Sequence, residues 1–403
     1  MKNCIRFLFV AFIFMFVSAC GMQQAAKCTS PEDNPQHHYL RGMEALEKGS
    51  MDAAKEKFER ALFCDDKFAI AYSGLAITTA GKAKTLTDAG FRNVEAGRAL
   101  DYLKKADKLS ESKEQKFDYY LAVIRVNTLL QPKEWLENAE NAFGEARKLK
   151  ADEKKLIYYQ GTEAANYFLG LAYLDAREFQ KARDKFADVL NMKSEGKWNE
   201  KADRAWKRVD KIVRAMAGLT VGDVGKQIAV KDSVTRADLA ALLVDELKLE
   251  KLFAGRLAAQ SRTDKMKAEF TPADMLNHQF KEEVLTIMKW KVRGLEPKYD
   301  ETTKAYLFKP SEPVLRGEMA LILEDVLIKI TGDEKIATAF FGHEQSPFPD
   351  VRKTSPFYNA VMNVTTKGIM EGEISGDFRV DSAVDGAEAI LAIRVLRQKM
   401  NIY

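Results

Sequence analysis

Residues 348–396 read FPDVRKTSPFYNAVMNVTTKGIMEGEISGDFRVDSAVDGAEAILAIRVL, and their pattern predicts two short helices joined by a turn. The first helix carries the Ala-Val pair at 360–361, and the second carries the Ala-Glu pair at 387–388. Glycines at 368 and 372 lie between the two helices, where the chain must change direction. The stretch therefore predicts a compact helical unit rather than one long helix.

Two earlier stretches repeat the end of this unit. Residues 384–388 read VDGAE, residues 314–318 read VLRGE, and residues 234–238 read VTRAD. The copies lie 80 and 70 residues apart, so they carry insertions of different length. The residues that precede them also correspond, with Phe378 in the last copy, Phe308 in the middle copy and Ile228 in the first. Three related helical units are thus predicted across about residues 212–400.

This order resembles the S-layer homology repeat, whose pattern runs F-x-D-V, an aromatic residue, A-V/I, G-I-x-x-G, F-x-P and T-R-A-E. We assign residues 212–403 to a mostly helical three-repeat module on this resemblance. It implies that the arginine of the T-R-A-E element binds an acidic cell-wall polysaccharide, or a polymer linked to peptidoglycan, in grooves between repeats. The matching positions are Arg236 and Arg316, and Thr235 precedes the first of them.

The chemistry of this element fits an anion. Thr235 and Asp238 have the spacing of a capping box, which starts a helix. Arg236 then lies in the first turn, where free N–H groups and the helix dipole favour negative charge. Arginine adds a planar fork for a carboxylate or phosphate. The alternative is a surface ion pair worth up to about 1 kcal/mol.

The other copies depart from the pattern in ways that change the expectation. Leu315 stands at the threonine position of the second copy and lacks the capping hydroxyl. In the third copy, Asp385 and Gly386 stand at the threonine and arginine positions. We expect the third copy not to bind an anion in the same way.

The first half of the chain repeats a different unit. Residues 37–66 read HHYLRGMEALEKGSMDAAKEKFERALFCDD, and residues 166–190 read NYFLGLAYLDAREFQKARDKFADVL. Their small and aromatic residues share the same offsets: Gly42, Ala54, Phe58 and Ala61 in the one, and Gly170, Ala182, Phe186 and Val189 in the other. Two degenerate copies lie between, the first with extra residues inserted near 82–92. Helical periodicity runs through all four copies.

These offsets resemble the tetratricopeptide repeat, a helix–turn–helix unit of 34 residues. We expect residues 36–195 to form an α-solenoid in which small residues let two helices approach and a phenylalanine fills the space between them. The resemblance implies a protein partner on the concave face, although such repeats also serve as spacers. Residues 196–211 are basic and helical, and we assign them to a capping helix or linker. A plain helical bundle is the alternative.

The N-terminus has the order of an export signal. Lys2 and Arg6 precede an apolar run, which ends in Ser18-Ala19-Cys20. A cysteine directly after small residues resembles the bacterial lipobox, which implies that residues 1–19 are removed and Cys20 is lipidated. Gly21, in place of an aspartate, implies the outer membrane of a Gram-negative host. A soluble secreted protein is the alternative. Residues 20–35 are small and polar and predict a flexible tether.

Two cysteines remain for the folded part. An oxidising compartment permits a disulfide between Cys28 and Cys64. Cys64 falls in a helical pattern, so simple burial of a free thiol stays open as well. The cysteine and histidine spacings do not resemble a metal site.

Composition and motifs argue against several function classes. The chain has 63 Lys and Arg against 59 Asp and Glu, and the resulting net charge of +4 is too small to indicate nucleic-acid binding. Neither a Walker-type loop nor a G-x-S-x-G elbow occurs. We therefore expect a protein that is not an enzyme and needs no cofactor.

These observations predict an outer-membrane lipoprotein that links the membrane to the cell wall. The three-repeat module would bind an acidic wall polymer, and the solenoid would bind a protein. The alternative is a scaffold or accessory lipoprotein for envelope assembly or secretion, without glycan binding. Such a scaffold needs an exposed apolar patch on the solenoid.

Replacing Cys20 with alanine tests the lipid anchor. We expect Cys20→Ala to leave the membrane fraction in mild salt, whereas the unaltered protein needs detergent, because acyl chains contribute about 0.8 kcal/mol of anchoring per CH₂. Cys4→Ala is the matched control, since Cys4 lies in the predicted signal peptide, and it should keep the detergent requirement. If mild salt without detergent extracts the unaltered protein, the predicted lipid anchor is contradicted.

Overall fold

The computed structural model describes residues 28, 30–192, 195–256, 268–342 and 345–400. The predicted signal peptide, Cys20 and most of the predicted tether lie outside these residues. The chain forms two compact units, one up to Arg204 and one from Ala205. The division falls inside the segment that was predicted to be a capping helix or linker.

The first unit is built from helices. Their bounds are α1 (Pro35–Glu47), α2 (Met51–Cys64), α3 (Ala69–Thr85), α4 (Ala89–Leu109), α5 (Lys113–Leu130), α6 (Trp135–Lys148), α7 (Ala164–Asp175) and α8 (Phe179–Met192). A short 3₁₀ helix (Glu153–Lys155) lies between α6 and α7, and α9 (Asn199–Met216) crosses into the second unit.

The eight helices pack as four consecutive hairpins. The first helix of each hairpin also contacts the first helix of the next hairpin. This arrangement is that of an α-solenoid, and the predicted fold class, mainly α with a solenoid before a helical module, is confirmed. The inserted residues lengthen the second hairpin, whose helices α3 and α4 have 17 and 21 residues.

Local sequence starts several of these helices. The Asn34 side chain accepts a hydrogen bond from the His37 N–H at 2.8 Å, before α1. Ser112 and Gln115 form a capping box at the start of α5. Such caps satisfy N–H groups that have no partner inside the helix.

Glycine sets the distance between helices in the hairpins. Phe58 is fully buried, and a Cβ added at Gly42 would lie 2.5 Å from its ring. Gly74, in the next hairpin, would meet the same ring. Gly170 stands in the same relation to Phe186, at 2.6 Å. The predicted packing of a phenylalanine against small residues is thus present in the first and last hairpins.

Aromatic residues close the end of the first unit. Trp198 is 1% exposed, and its indole N–H donates to the carbonyl of Tyr159 at 2.8 Å. Its ring also packs near Tyr167 and Phe168. The segment before α9 therefore covers the last hairpin.

The other end of the first unit is fastened by a disulfide between Cys28 and Cys64. Asp33 lies beside it and accepts hydrogen bonds from Arg60 at 2.6 and 3.0 Å. Hydrogen bonds from Arg60 and His38 lower the pKa of Asp33 to about 2. Cys28, Asp33 and Cys64 are close enough to hold a metal ion, but the two sulfurs are bonded to each other.

This attachment shortens the predicted tether. Residues 20–35 were expected to be flexible as a whole, but Cys28 and residues 30–35 belong to the folded unit. The covalent bond and the Asp33–Arg60 pair hold them against α2. The prediction is therefore wrong for its second half.

The second unit holds three helical copies. Its helices are α10 (Asp223–Ala229), α11 (Arg236–Asp245), α12 (Leu249–Arg256), α13 (Lys281–Lys289), α14 (Arg316–Thr331), α15 (Tyr358–Thr366) and α16 (Gly386–Lys399). The described part of this unit also contains two 3₁₀ helices (Ala273–Met275 and Glu334–Thr338) and a hairpin of β1 (Lys298–Asp300) and β2 (Ala305–Leu307). Among the described helices, none combines the length and apolarity needed to cross a bilayer.

The copies of the second unit pack in a closed order. Helix α11 of the first copy contacts α13 of the second, and α14 of the second contacts α15 of the third. Helix α16 of the third copy then returns to α10 of the first. Each copy therefore packs against both of the others.

Gly42→Ala tests the glycine spacing. We expect it to lower the free energy of unfolding by about 1–3 kcal/mol, because the added methyl overlaps the Phe58 ring in a packed core. Gly97→Ala is the control, since a Cβ there meets nothing within 4 Å, and it should raise stability by up to about 1 kcal/mol through helix propensity. Denaturant unfolding measures both. Equal effects would contradict the role of Gly42.

Candidate functional site

Three valines join the copies of the second unit at their centre. The Val234 N–H donates to the Val384 carbonyl at 2.8 Å, and the Val314 N–H donates to Val234 at 2.9 Å. The Val384 N–H donates to Val314 at 3.0 Å and closes the cycle. All three side chains are at most 1% exposed. Each valine directly precedes the element that was predicted to carry the site.

The helix starts beside this ring are capped in different ways. Thr235 and Asp238 form the predicted capping box at the start of α11. The Thr235 hydroxyl also donates to the Asp238 carboxylate at 2.9 Å. At Leu315 only the Glu318 carboxylate contributes, through the Leu315 N–H at 3.0 Å. Asp385 caps α16 by accepting from the Glu388 N–H at 2.9 Å.

Arg236 joins the first copy to the second. Its Nε donates to the carbonyl of Phe308 at 2.9 Å, and its two terminal nitrogens donate to Gly294 and Glu296, each at 2.8 Å. Its guanidinium also lies 5.0 Å from the Phe308 ring centre. Arg236 therefore fixes both ends of the loop from Gly294 to Phe308 in the second copy.

Arg316 joins the second copy to the third in the same way. Its Nε donates to the carbonyl of Phe378, and a terminal nitrogen donates to Glu371, both at 2.6 Å. The other terminal nitrogen forms an ion pair with Glu388. Phe308 and Phe378 occupy corresponding positions, so the two junctions are built alike.

The arginines were expected to lie open in grooves, and this expectation is wrong. Arg236 is 2% exposed and Arg316 is 3% exposed, because packing of one copy on the next covers them. Burial lowers the pKa of both guanidinium groups below the usual value. The surface ion pair offered as the alternative does not describe them either. That Thr235, Arg236 and Arg316 contact glycan stays a prediction.

The junction between the third copy and the first has no room for an arginine side chain. A Cβ at Gly386 would overlap the main-chain carbonyl of Ile228, the counterpart of the carbonyls that accept from Arg236 and Arg316. The Gly386 N–H donates to the Lys231 carbonyl at 2.9 Å, as the N–H groups of Arg236 and Arg316 donate to carbonyls of the facing copies. The Lys231 ammonium pairs with Asp238 at 2.7 Å. At this junction, direct backbone packing takes the place of the arginine side chain.

Two aspartates brace the loops that the arginines hold. Asp350 accepts from the N–H groups of Phe378 and Val380 at 2.8 and 2.9 Å. Asp274 accepts from Phe308 and Lys309 at 3.0 and 2.7 Å. Burial raises the pKa of Asp350, but the backbone hydrogen bonds outweigh this and leave it below its usual value.

Sequence reasoning missed these two aspartates as structural groups. The F-x-D-V element contained the signal, because its aspartate, Asp350, has a counterpart in Asp274 of the second copy. The distance to the phenylalanine differs between the copies, at 28 and 34 residues. The hydrogen-bond cycle of Val234, Val314 and Val384 had no such signal in the sequence, because its bonds use main-chain atoms alone.

Comparison with known proteins supports the assignment of the third copy. Residues 347–390 match the model of the S-layer homology domain. Neither the curated proteins nor the solved structures contain a match to this chain. The chain thus carries an S-layer homology domain, which indicates association with the cell wall or cell envelope.

Arg236→Ala tests the junction. We expect it to lower the free energy of unfolding by about 3 kcal/mol or more, because three carbonyls lose a charged donor and each unpaired buried group costs about 1–3 kcal/mol. Hydrogen exchange should rise over residues 294–312. Arg379→Ala is the control, because the Arg379 side chain is 49% exposed and its partners, Glu373 and Ser382, lie close to it in the same copy. Similar losses for both variants would contradict the assigned role.

Proposed function

We propose that this protein is an outer-membrane lipoprotein that links the membrane to the cell wall. The observation that carries the proposal is the S-layer homology domain at residues 347–390, in a unit whose three copies close on one another. The polymer is an acidic wall polysaccharide or a polymer linked to peptidoglycan. The proposal involves no catalytic step and no cofactor.

The N-terminal geometry supports a short link to the membrane. If Cys20 carries the lipid, Cys28 follows eight residue steps later and is bonded to α2. A fully extended chain spans at most about 3.6 Å per residue, so this link reaches about 29 Å. The first hairpin of the solenoid would therefore stay close to the membrane surface.

The solenoid has a separate role in this proposal. Its stacked hairpins resemble tetratricopeptide repeats, and repeats of this kind present extended surfaces to protein partners. A protein partner on the concave face would then be brought to the site where membrane and wall are linked. The partner is proposed to be a component of envelope assembly or of an appendage.

Co-sedimentation with isolated sacculi tests the wall link. We expect the full mature chain, as Cys20→Ala to avoid detergent, to pellet with sacculi and to stay soluble after acidic secondary polymers are stripped from them. Loss on stripping follows because the polymer, rather than the peptidoglycan network, would be the ligand. A chain that pellets with neither preparation would overturn the proposal.

A second candidate is a scaffold lipoprotein without glycan binding, and one observation favours it. Helix α4 leaves Phe91 and Val94 69% and 57% exposed in its first half, where the residues inserted near 82–92 end. Exposed apolar residues of this kind mark protein contacts. Absence of binding to either sacculus preparation is the outcome that this candidate predicts.

A further inference from the structure

The second copy carries an insertion that its counterpart lacks. The loop from Gly294 to Phe308 is four residues longer than the corresponding loop from Gly368 to Phe378. Its extra length forms the hairpin of β1 and β2. The corresponding loop of the third copy forms no strand, so the side chains that this hairpin exposes are specific to the second copy.

The hairpin presents aromatic rings. Tyr299 and Tyr306 are directly opposed across the two strands, with ring centres 5.3 Å apart. They are 47% and 55% exposed. The ring of Phe270, 42% exposed, lies 6.3 Å from Tyr306 and extends the series. We call these three residues the aromatic row.

The aromatic row borders a cleft of about 370 Å³. Phe270 belongs to both, and Pro297, two residues before Tyr299, lines the cleft. Lys291 and Glu296 also line it and provide polar groups. Ligand pockets occupy about 300–1,000 Å³, so this cleft has room for a small ring-shaped group.

The charges around the row balance. Lys298 pairs with Glu312 at 2.9 Å, and Lys304 pairs with Glu301 at 2.9 Å. In the cleft, Lys291 pairs with Glu269 at 3.3 Å. A phosphate backbone is held by clustered, uncompensated cations, so this surface does not suit a nucleic acid. It suits an uncharged ligand with both donors and acceptors.

We propose that the aromatic row and its cleft bind a neutral pyranose of the envelope polysaccharide. One face of a pyranose is formed by C–H groups and packs flat on an aromatic ring, while its hydroxyls reach the polar rim. This inference rests on the proposed function, since it names where the polymer is held. It places the contact on the hairpin of the second copy, away from the buried guanidinium of Arg236.

Arg236 supports this site as a positioning residue. Its guanidinium binds the carbonyls of Gly294 and Glu296, and the chain from Leu295 to Pro297 lines the cleft. Loss of Arg236 would therefore weaken glycan binding through the loop. Arg236→Lys should partly restore the loop, because one donor group remains to reach a carbonyl.

The test is binding of full-length variants to isolated sacculi. Tyr299→Ala with Tyr306→Ala should raise the dissociation constant about tenfold, as expected when stacked rings are lost. Tyr299→Phe with Tyr306→Phe should bind as the unaltered chain does, because the rings remain. Ile374→Ala is the matched control, since Ile374 is fully exposed in the corresponding loop of the third copy. Circular dichroism checks that each variant is folded.

A second measurement reports directly on the site. Nitration of Tyr299 and Tyr306 by tetranitromethane, read by mass spectrometry, should be suppressed when sacculi are bound. Raising the salt concentration should leave this protection unchanged, because a neutral sugar has no charge to screen.

The outcomes separate the two proposals. If the unaltered chain binds sacculi and the double alanine variant binds within about twofold of it, the inference is overturned and the wall link stands. Tyrosines that remain open to nitration on bound protein would overturn the inference in the same way. If the unaltered chain binds no sacculi, the proposed function is overturned, and the inference with it.

Discussion

Three main-chain hydrogen bonds between Val234, Val314 and Val384 hold the second unit together. Each valine donates to one copy and accepts from another, so no single copy completes its own hydrogen bonds. The valines also fix where α11, α14 and α16 begin, because each helix starts two residues after its valine. The loops, the arginines and the hairpin of the second copy all take their positions from this ring, since buried main-chain groups must find partners.

The arginines and Gly386 are two solutions to one packing problem. At two junctions, a gap between copies is filled by a guanidinium that binds the carbonyls of the facing loops. At the third, the Ile228 carbonyl lies so close that only glycine fits. The departure of the third copy from the repeat pattern is therefore a consequence of closure. The same residue types that suit an anion at a surface suit a carbonyl when they are buried.

Much of the fold could be predicted from the sequence. Helical periodicity and the shared offsets of Gly42 and Phe58 with Gly170 and Phe186 predicted the solenoid and its internal packing. The Thr235–Asp238 capping box was also correct, because a helix start depends on neighbours three residues apart. The candidate site was less predictable. The sequence identified Arg236 and Arg316 as special, but it placed them in open grooves.

The sequence by itself determined the helices, their caps and the repeat order, since these depend on residues close together in the chain. It left the Cys28–Cys64 pairing open, and the fold decided it by bringing the start of the chain to α2. Tertiary structure also decided the burial of the arginines and the exposure of Tyr299 and Tyr306, because exposure depends on which copy packs over which residue. Arg236 binds carbonyls 60 and 72 residues away in the chain, and the residues next to Arg236 do not indicate which distant residues it will contact.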